Sequence, residues 1–276
     1  METFDTPGAV SLQVKLSSGR VSIATVDEPR TSVELTGRRD GNYDDIVVTC
    51  QERHGGHVIK IEQRDRFRWG PLGITWGEGF EVRIACPPGA DLDLAGGSTD
   101  LDVDGDLGEV SVKTASGDVK LDGIGKALDV KTASGDIEIR SIEAGGSVVT
   151  ASGDVEVRRI ENAVTARSIS GDIEIGYSRA PLELTTTSGD LEVGSVAAGE
   201  VRFQSVSGDV RIGVAPGTRV WIDATSVSGD LESELGLGDQ APETGEQEQA
   251  SEVVPLEGKT VSGDVEIVRA AGAFSA

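Results

Sequence analysis

"TASGDVKLDGIGKALDVKTASGDIEIRS", residues 114–141, passes the same Ser-Gly-Asp marker twice, 18 residues apart. Before the first marker Val110, Val112, Thr114 and Ser116 share one face, while Ser111, Lys113 and Ala115 share the other. After it Val119 and Leu121 alternate with Lys120. Alternation of period two predicts strands with one buried face. The parity changes across Gly117-Asp118, so the chain turns there. Strand, turn and strand on a fixed period predict one coil of a solenoid.

Working outward, Ser-Gly-Asp recurs at 116–118, 134–136, 152–154, 170–172, 188–190, 207–209, 228–230 and 262–264. Ser98-Thr99-Asp100 stands one period upstream. Nine rungs are therefore expected. The first four intervals are 18 residues, and the next are 19, 21 and 34. Parity survives the longer ones, so their extra residues belong in turns or strand extensions. A register slip would expose the whole apolar face. A further apolar position, Ile124, Ile142, Ile160 and Val196, follows each second strand and predicts a second corner with a short third side. One coil alone buries too little to offset the entropy of ordering it, so coils must stack on one another. The fold class read here is all-β, a parallel single-stranded β-solenoid. Right-handed winding follows from the crossover preference of parallel strands.

The marker has a structural explanation. Gly suits a corner of positive φ or a close approach between coils. Ser and Asp hydrogen-bond local backbone in tight turns. Stacked aspartates repel by roughly 1 kcal/mol per neighbour in water, which a hydrogen bond of roughly 0.5–1.5 kcal/mol offsets. Asp118, Asp136 and Asp154 are accordingly expected to stack at a wet corner without holding a metal. The calcium β-roll repeat is absent. The Thr114/Ser116 and Thr132/Ser134 pairs share parity with valines. They are therefore read as inward hydroxyl ladders bonded to backbone, not as an outward ice-binding array.

Residues 1–90 lack the marker and are read as an N-terminal β cap continuous with the solenoid repeats of 91–276. Residues 10–27, "VSLQVKLSSGRVSIATVD", look like a degenerate rung with Ser18-Gly19-Arg20 at its corner. The stretch 44–63 reads as a hairpin turning at Gly55-Gly56. His54 and His57 beside it fit a solvated turn better than a metal site. The aromatic loop 67–80, with Trp69 and Trp76, is expected to cover the first coil. An acidic, apolar-poor stretch at 232–258 reads as a flexible loop, after which residues 260–270, "TVSGDVEIVRA", are expected to dock as the final coil.

A net charge of −23 repels phosphate backbones and anionic lipid, so neither nucleic acid nor membrane insertion is expected. The opening residues show no export-signal pattern, and no apolar run is long enough to span a bilayer. Cytoplasmic residence is expected, or the cell surface if another export route operates. Cys50 and Cys86 are then reduced thiols.

Three stretches carry a resemblance: "FDTP" at 4–7, "VRIACPPGADLDL" at 82–94, and the repeated SGDVxV rungs. On these the chain resembles the DUF4097 β-strand-repeat family of bacterial "putative adhesins". The resemblance implies a β-solenoid and brings no catalytic residues with it. No catalytic, cofactor-binding or metal residue is assigned, and no cofactor. No rung carries a distinct acid, base and nucleophile together. The leading expectation is a non-enzymatic scaffold that binds a protein partner. A surface- or carbohydrate-binding adhesin comes second, and a polysaccharide-active β-helix enzyme third.

Overall fold

A computed structural model describes residues 1–37, 43–53, 55–64, 80–235 and 253–270. The described residues form 24 strands and no helix, most of them paired in parallel. The fold is a β-solenoid. The chain divides into two compact units, Met1–Ala144 and Gly145–Ala276.

In the first unit the alternating stretches form coils. Val110–Ser116 and Leu128–Ser134 pair in parallel with Leu128 beside Val110 and Thr132 beside Thr114. Val119–Ile124 and Ile137–Ile142 do the same after the corner. Val112, Val119, Leu121, Ile124, Val130, Ile137, Ile139 and Ile142 are all buried. The outward residues form ladders of opposite charge between coils. Lys120 Nζ lies 2.8 Å from Glu138 Oε1, and Arg140 Nε 2.5 Å from Asp122 Oδ1.

Val10–Thr25 is a full coil, paired in parallel with Asp91–Asp104 so that Ser18, Gly19 and Arg20 meet Ser98, Thr99 and Asp100. Its other edge receives Gly56–Gln63 and Glu81–Cys86, both parallel. These two strands supply two sides of a further coil. Antiparallel strands then close this end. Ile46–Arg53 pairs with Gly56–Gln63, Arg30–Thr36 with Glu81–Cys86, and Glu2–Asp5 with Arg30–Thr36. The hairpin turns at Gly55-Gly56, with Gly55 at φ +79°. His54, Trp69 and Trp76, with most of the aromatic loop 67–80, lie outside the described residues.

The second unit repeats the coil. Leu182–Thr185 pairs with Val164–Arg167 and with Val201–Gln204; Leu191–Val196 pairs with Ile173–Ser178 and with Val210–Val214. The extra residue of the 19-residue interval falls in the turn between Val196 and Val201, as parity requires. A bulge interrupts the pairing of Val193–Val196 with Ile212–Val214.

The order of coils at the end of this unit departs from the order of the chain. Val201–Gln204 and Val210–Val214 pair with Val253–Ser262 and Val265–Arg269. Arg219–Ser228 and Leu231–Ser233 pair on the far side of those same strands. The last marked coil in sequence is therefore inserted, and the coil before it is terminal. This corrects the expectation that Thr260–Val268 docks as the final coil. Burial supplies the reason. Val254, Leu256, Val265 and Ile267 are almost fully buried, which requires a neighbour on each side. The expected loop 232–258 also contains strand at both ends, since Val253–Ser262 begins well before residue 258. Residues 236–252 lie outside the described residues.

Candidate functional site at the corner column

Seven of the marker aspartates support the next coil. Asp100 Oδ1 accepts from the backbone N–H of Asp118 (3.3 Å), and Asp118 Oδ1 from that of Asp136 (3.1 Å). In the second unit the same bond runs from Asp154 to Asp172, Asp190, Asp209, Asp264 and Asp230, at 2.8–2.9 Å. The expected bond within one turn is thus a bond between turns. The corner lifts this N–H out of the strand ladder, and a carboxylate one coil away is the nearest acceptor.

The glycine follows from the same stacking. A Cβ on Gly189 would collide with the carbonyl oxygen of Gly171, and one on Gly171 with that of Gly153. Gly208 adds a φ of +144° that L side chains rarely adopt.

The Thr column lies inside: Thr114, Thr132, Thr150, Ser168, Thr186, Ser205 and Thr260 are buried. Thr114 Oγ1 donates to Gly97 O at 3.2 Å. Thr132, Thr150, Ser168, Ser205 and Thr260 make no side-chain hydrogen bond among the described residues, so the expected hydroxyl ladder forms only in part. The marker serines, read as inward, are exposed instead, because the chain is already turning at that position. Their backbones still bridge coil to coil, as Ser188 does to Ser170 and Ser207.

Just before each marker lies a residue that the sequence reading passed over. These residues follow the coil order as Ala151, Ile169, Thr187, Val206, Val261 and Val227 in the second unit. Ile169, Val206, Val261 and Val227 are 56%, 49%, 50% and 77% exposed. In the first unit the same position holds Gly97, Ala115 and Ala133. A β-branched stripe, apolar except at Thr187, one residue wide and about 4.8 Å per step, thus runs beside the aspartate column in one unit only. The signal was legible: the letter before SGD changes from A to I, T and V.

Chemistry elsewhere is sparse. Burial pushes the Cys86 thiol up to about 12, which leaves it unreactive at neutral pH. Burial also pushes the Asp122 carboxyl up. Its bonds to Arg140 and to the Gly105 N–H (3.0 Å) outweigh this and hold it below the ordinary range. An open cleft of about 390 Å³ is lined by Lys15, Ser17, Glu62, Gln63 and glycines 96 and 97. Its polar centre is spent internally, with Ser17 Oγ donating to Gln63 Oε1 at 2.5 Å. Among the described residues no three His, Cys, Asp or Glu side chains are grouped to hold a metal. Nor is any helix among them long and apolar enough to cross a membrane.

The family model described as Toastrack DUF4097 matches residues 5–195 and 179–268. A comparison with curated proteins found no match. Among solved structures the chain is similar to a "putative adhesin" from Parabacteroides merdae, at 12% identity and a TM-score of 0.40, covering 97% of this chain and 94% of that one. It is similar also to a "putative adhesin" from Bacteroides fragilis, at 16% identity and a TM-score of 0.36, covering 96% and 95%. A third is a "putative cell adhesion protein" from Clostridium sporogenes, at 9% identity and a TM-score of 0.24, covering 97% and 98%.

Proposed function

The chain belongs to the Toastrack DUF4097 family, and from that premise we propose that it is a non-enzymatic, adhesin-type scaffold whose corner stripe binds a protein partner. The observation that carries this is the exposed row Ile169, Val206 and Val261 beside the acidic column Asp172, Asp209 and Asp264. Exposed apolar side chains rimmed by charge are characteristic of protein contact sites, and here only Thr187 interrupts the row. The partner that fits presents apolar side chains in an extended row, flanked by Lys or Arg that meet the aspartates. Each aspartate already gives one oxygen to the backbone, so a basic side chain approaches the other. The chemistry is the same at every coil, which suits an extended contact better than a single reacting centre.

The experiment is affinity capture from the native cell with the wild-type chain and with Ile169→Glu/Val206→Glu/Val261→Glu. All three positions are exposed, so the variant folds. Proteins captured by the wild type and lost by the variant are the expected result. An identical set from both overturns the stripe as the site.

A further inference from the structure

Among the described residues, one coil of the second unit has a neighbouring coil on one side only. Arg219–Ser228 pairs with Val253–Ser262 on one side, and among the described residues no strand pairs with its other edge. Leu231–Ser233 likewise pairs only with Val265–Ile267. Burial differs between the two strands accordingly. Val254, Leu256 and Thr260 are buried to within 1%. Their counterparts in the terminal strand, Val220, Ile222 and Ser226, are only half-buried. On the outer face Trp221 is 53% and Val227 77% exposed. An edge of this length with apolar residues on both faces is a template for another strand.

The geometry points to a second copy of this chain as that strand, joined edge to edge through residues 220–228 about a twofold axis at Ala224. The strand is self-complementary in one antiparallel register. A twofold axis perpendicular to the sheet keeps outward residues opposite outward residues. Centred on Ala224, it places Trp221 opposite Val227 of the partner subunit, and Val227 opposite the partner's Trp221. Asp223 then faces Thr225 of the partner subunit twice. Inside, Ile222 meets Ser226, extending the core of the coil, while Val220 meets the exposed Ser228 where the chain turns. Aromatic against β-branched is a favoured cross-strand pair. The neighbouring registers fail on charge or on contact. Centring on Asp223 sets two carboxylates directly opposite, and centring on Ile222 or Thr225 separates Trp221 from Val227. A twofold contact closes on itself and yields a dimer. A head-to-tail stack is disfavoured because, among the described residues, the outermost coil of the first unit is already paired by the antiparallel strands Arg30–Thr36 and Ile46–Arg53.

Sedimentation velocity of the full chain across a concentration series tests this, with Val227→Lys beside the wild type. The wild type is expected to dimerise, and Val227→Lys to weaken the dimer by about 30-fold, since it removes both aromatic–β-branched cross-strand pairs. Val227 is largely exposed, so an unchanged melting curve at low concentration will show that the variant folds. Register is read separately in a Cys50→Ser background. Ala224→Cys should form an intermolecular disulfide on mild oxidation, because directly opposed Cβ atoms lie within bridging range. Thr225→Cys, which faces Asp223, should not. A wild type that stays monomeric overturns the inference, including the case in which residues 236–252 of the same chain cover the edge. Open-ended polymers, a dimer indifferent to Val227→Lys, or linkage through Thr225→Cys overturn it as well. The Ile169/Val206/Val261 triple variant should still dimerise, so failure of the partner-binding reading and failure of this one are distinguishable.

Discussion

At the scale of the residue, the aspartate and glycine of each marker do different work. Asp172 holds the N–H of Asp190 through one oxygen at 2.8 Å. An amide oxygen can make the same bond without the charge. Asp172→Asn should therefore leave stability within about 0.5 kcal/mol of the wild type, whereas Asp172→Ala should cost about 0.5–1.5 kcal/mol. Urea denaturation of the two variants separates a hydrogen-bonding role from a charge role. If the carboxylates instead held a cation, Asn would cost as much as Ala. Calorimetric titration with Ca²⁺ should accordingly show no micromolar binding. Gly189 answers to space: its missing Cβ is where the Gly171 carbonyl passes. Gly189→Ala should destabilise by about 1–3 kcal/mol through overpacking, a shift visible in the same experiment.

At the scale of the element, coils are held by apolar columns inside and by charge ladders outside, and the two respond to different variables. Asp122 accepts from Arg140 of the next coil and from the Gly105 backbone, and its carboxyl titrates below its ordinary value. A depressed folded pKa contributes stability above the unfolded value, and that stability is lost as pH falls through the folded value. Asp122→Asn should thus cost about 0.5–1 kcal/mol at neutral pH, a figure kept small by the exposure of Arg140. The difference from wild type should vanish below the acidic range. Thermal melts across pH check the sign: a gap that widened on acidification would show that burial, not pairing, governs this carboxyl. The core column is less forgiving. Val254 and Leu256 are almost fully buried. Replacing 232–258 by a short Gly-Ser turn should therefore cost several kcal/mol, about 2–5 for each large side chain removed.

At the scale of the whole molecule, both units depart from chain order. In the first, Gly56–Gln63 and Glu81–Cys86 sit outside Val10–Thr25 although they follow it in sequence. In the second, Val253–Arg269 enters between coils already made. The inserted coil supplies acceptors to the coil before it: Ser205, Gly208 and Val210 donate to Lys259, Ser262 and Asp264. Truncation after Ser233 should strip all three bonds. Hydrogen exchange of the shortened chain should then show lost protection across Val201–Val214, while the amides of Val164–Arg167, two coils away, keep theirs. Unchanged exchange at Ser205 and Val210 would mean that Arg219–Ser233 can slide in as the replacement coil.

Much of this was legible in the sequence, for a local reason. Strand, corner and inward face follow from period-two alternation and from Gly-Asp punctuation. Val112, Val130, Ile137 and Ile139 could occupy no other side without exposing an entire column. The exposed stripe was legible too, in the single letter before each marker. Tertiary structure decided what depends on a neighbour. The aspartates bond across coils because the stack, not the turn, leaves an N–H to satisfy. The order of coils is likewise beyond local pattern. Every coil presents the same parity, so Val253–Arg269 and Arg219–Ser233 both satisfy the strand rules in either place. What separates them is the fit against Val201–Val214: Gly258 leaves room for the Phe203 ring, which a Cβ there would meet, and Ile267 fills the core, whereas the other coil carries Ala224 and Ser233 at those two places.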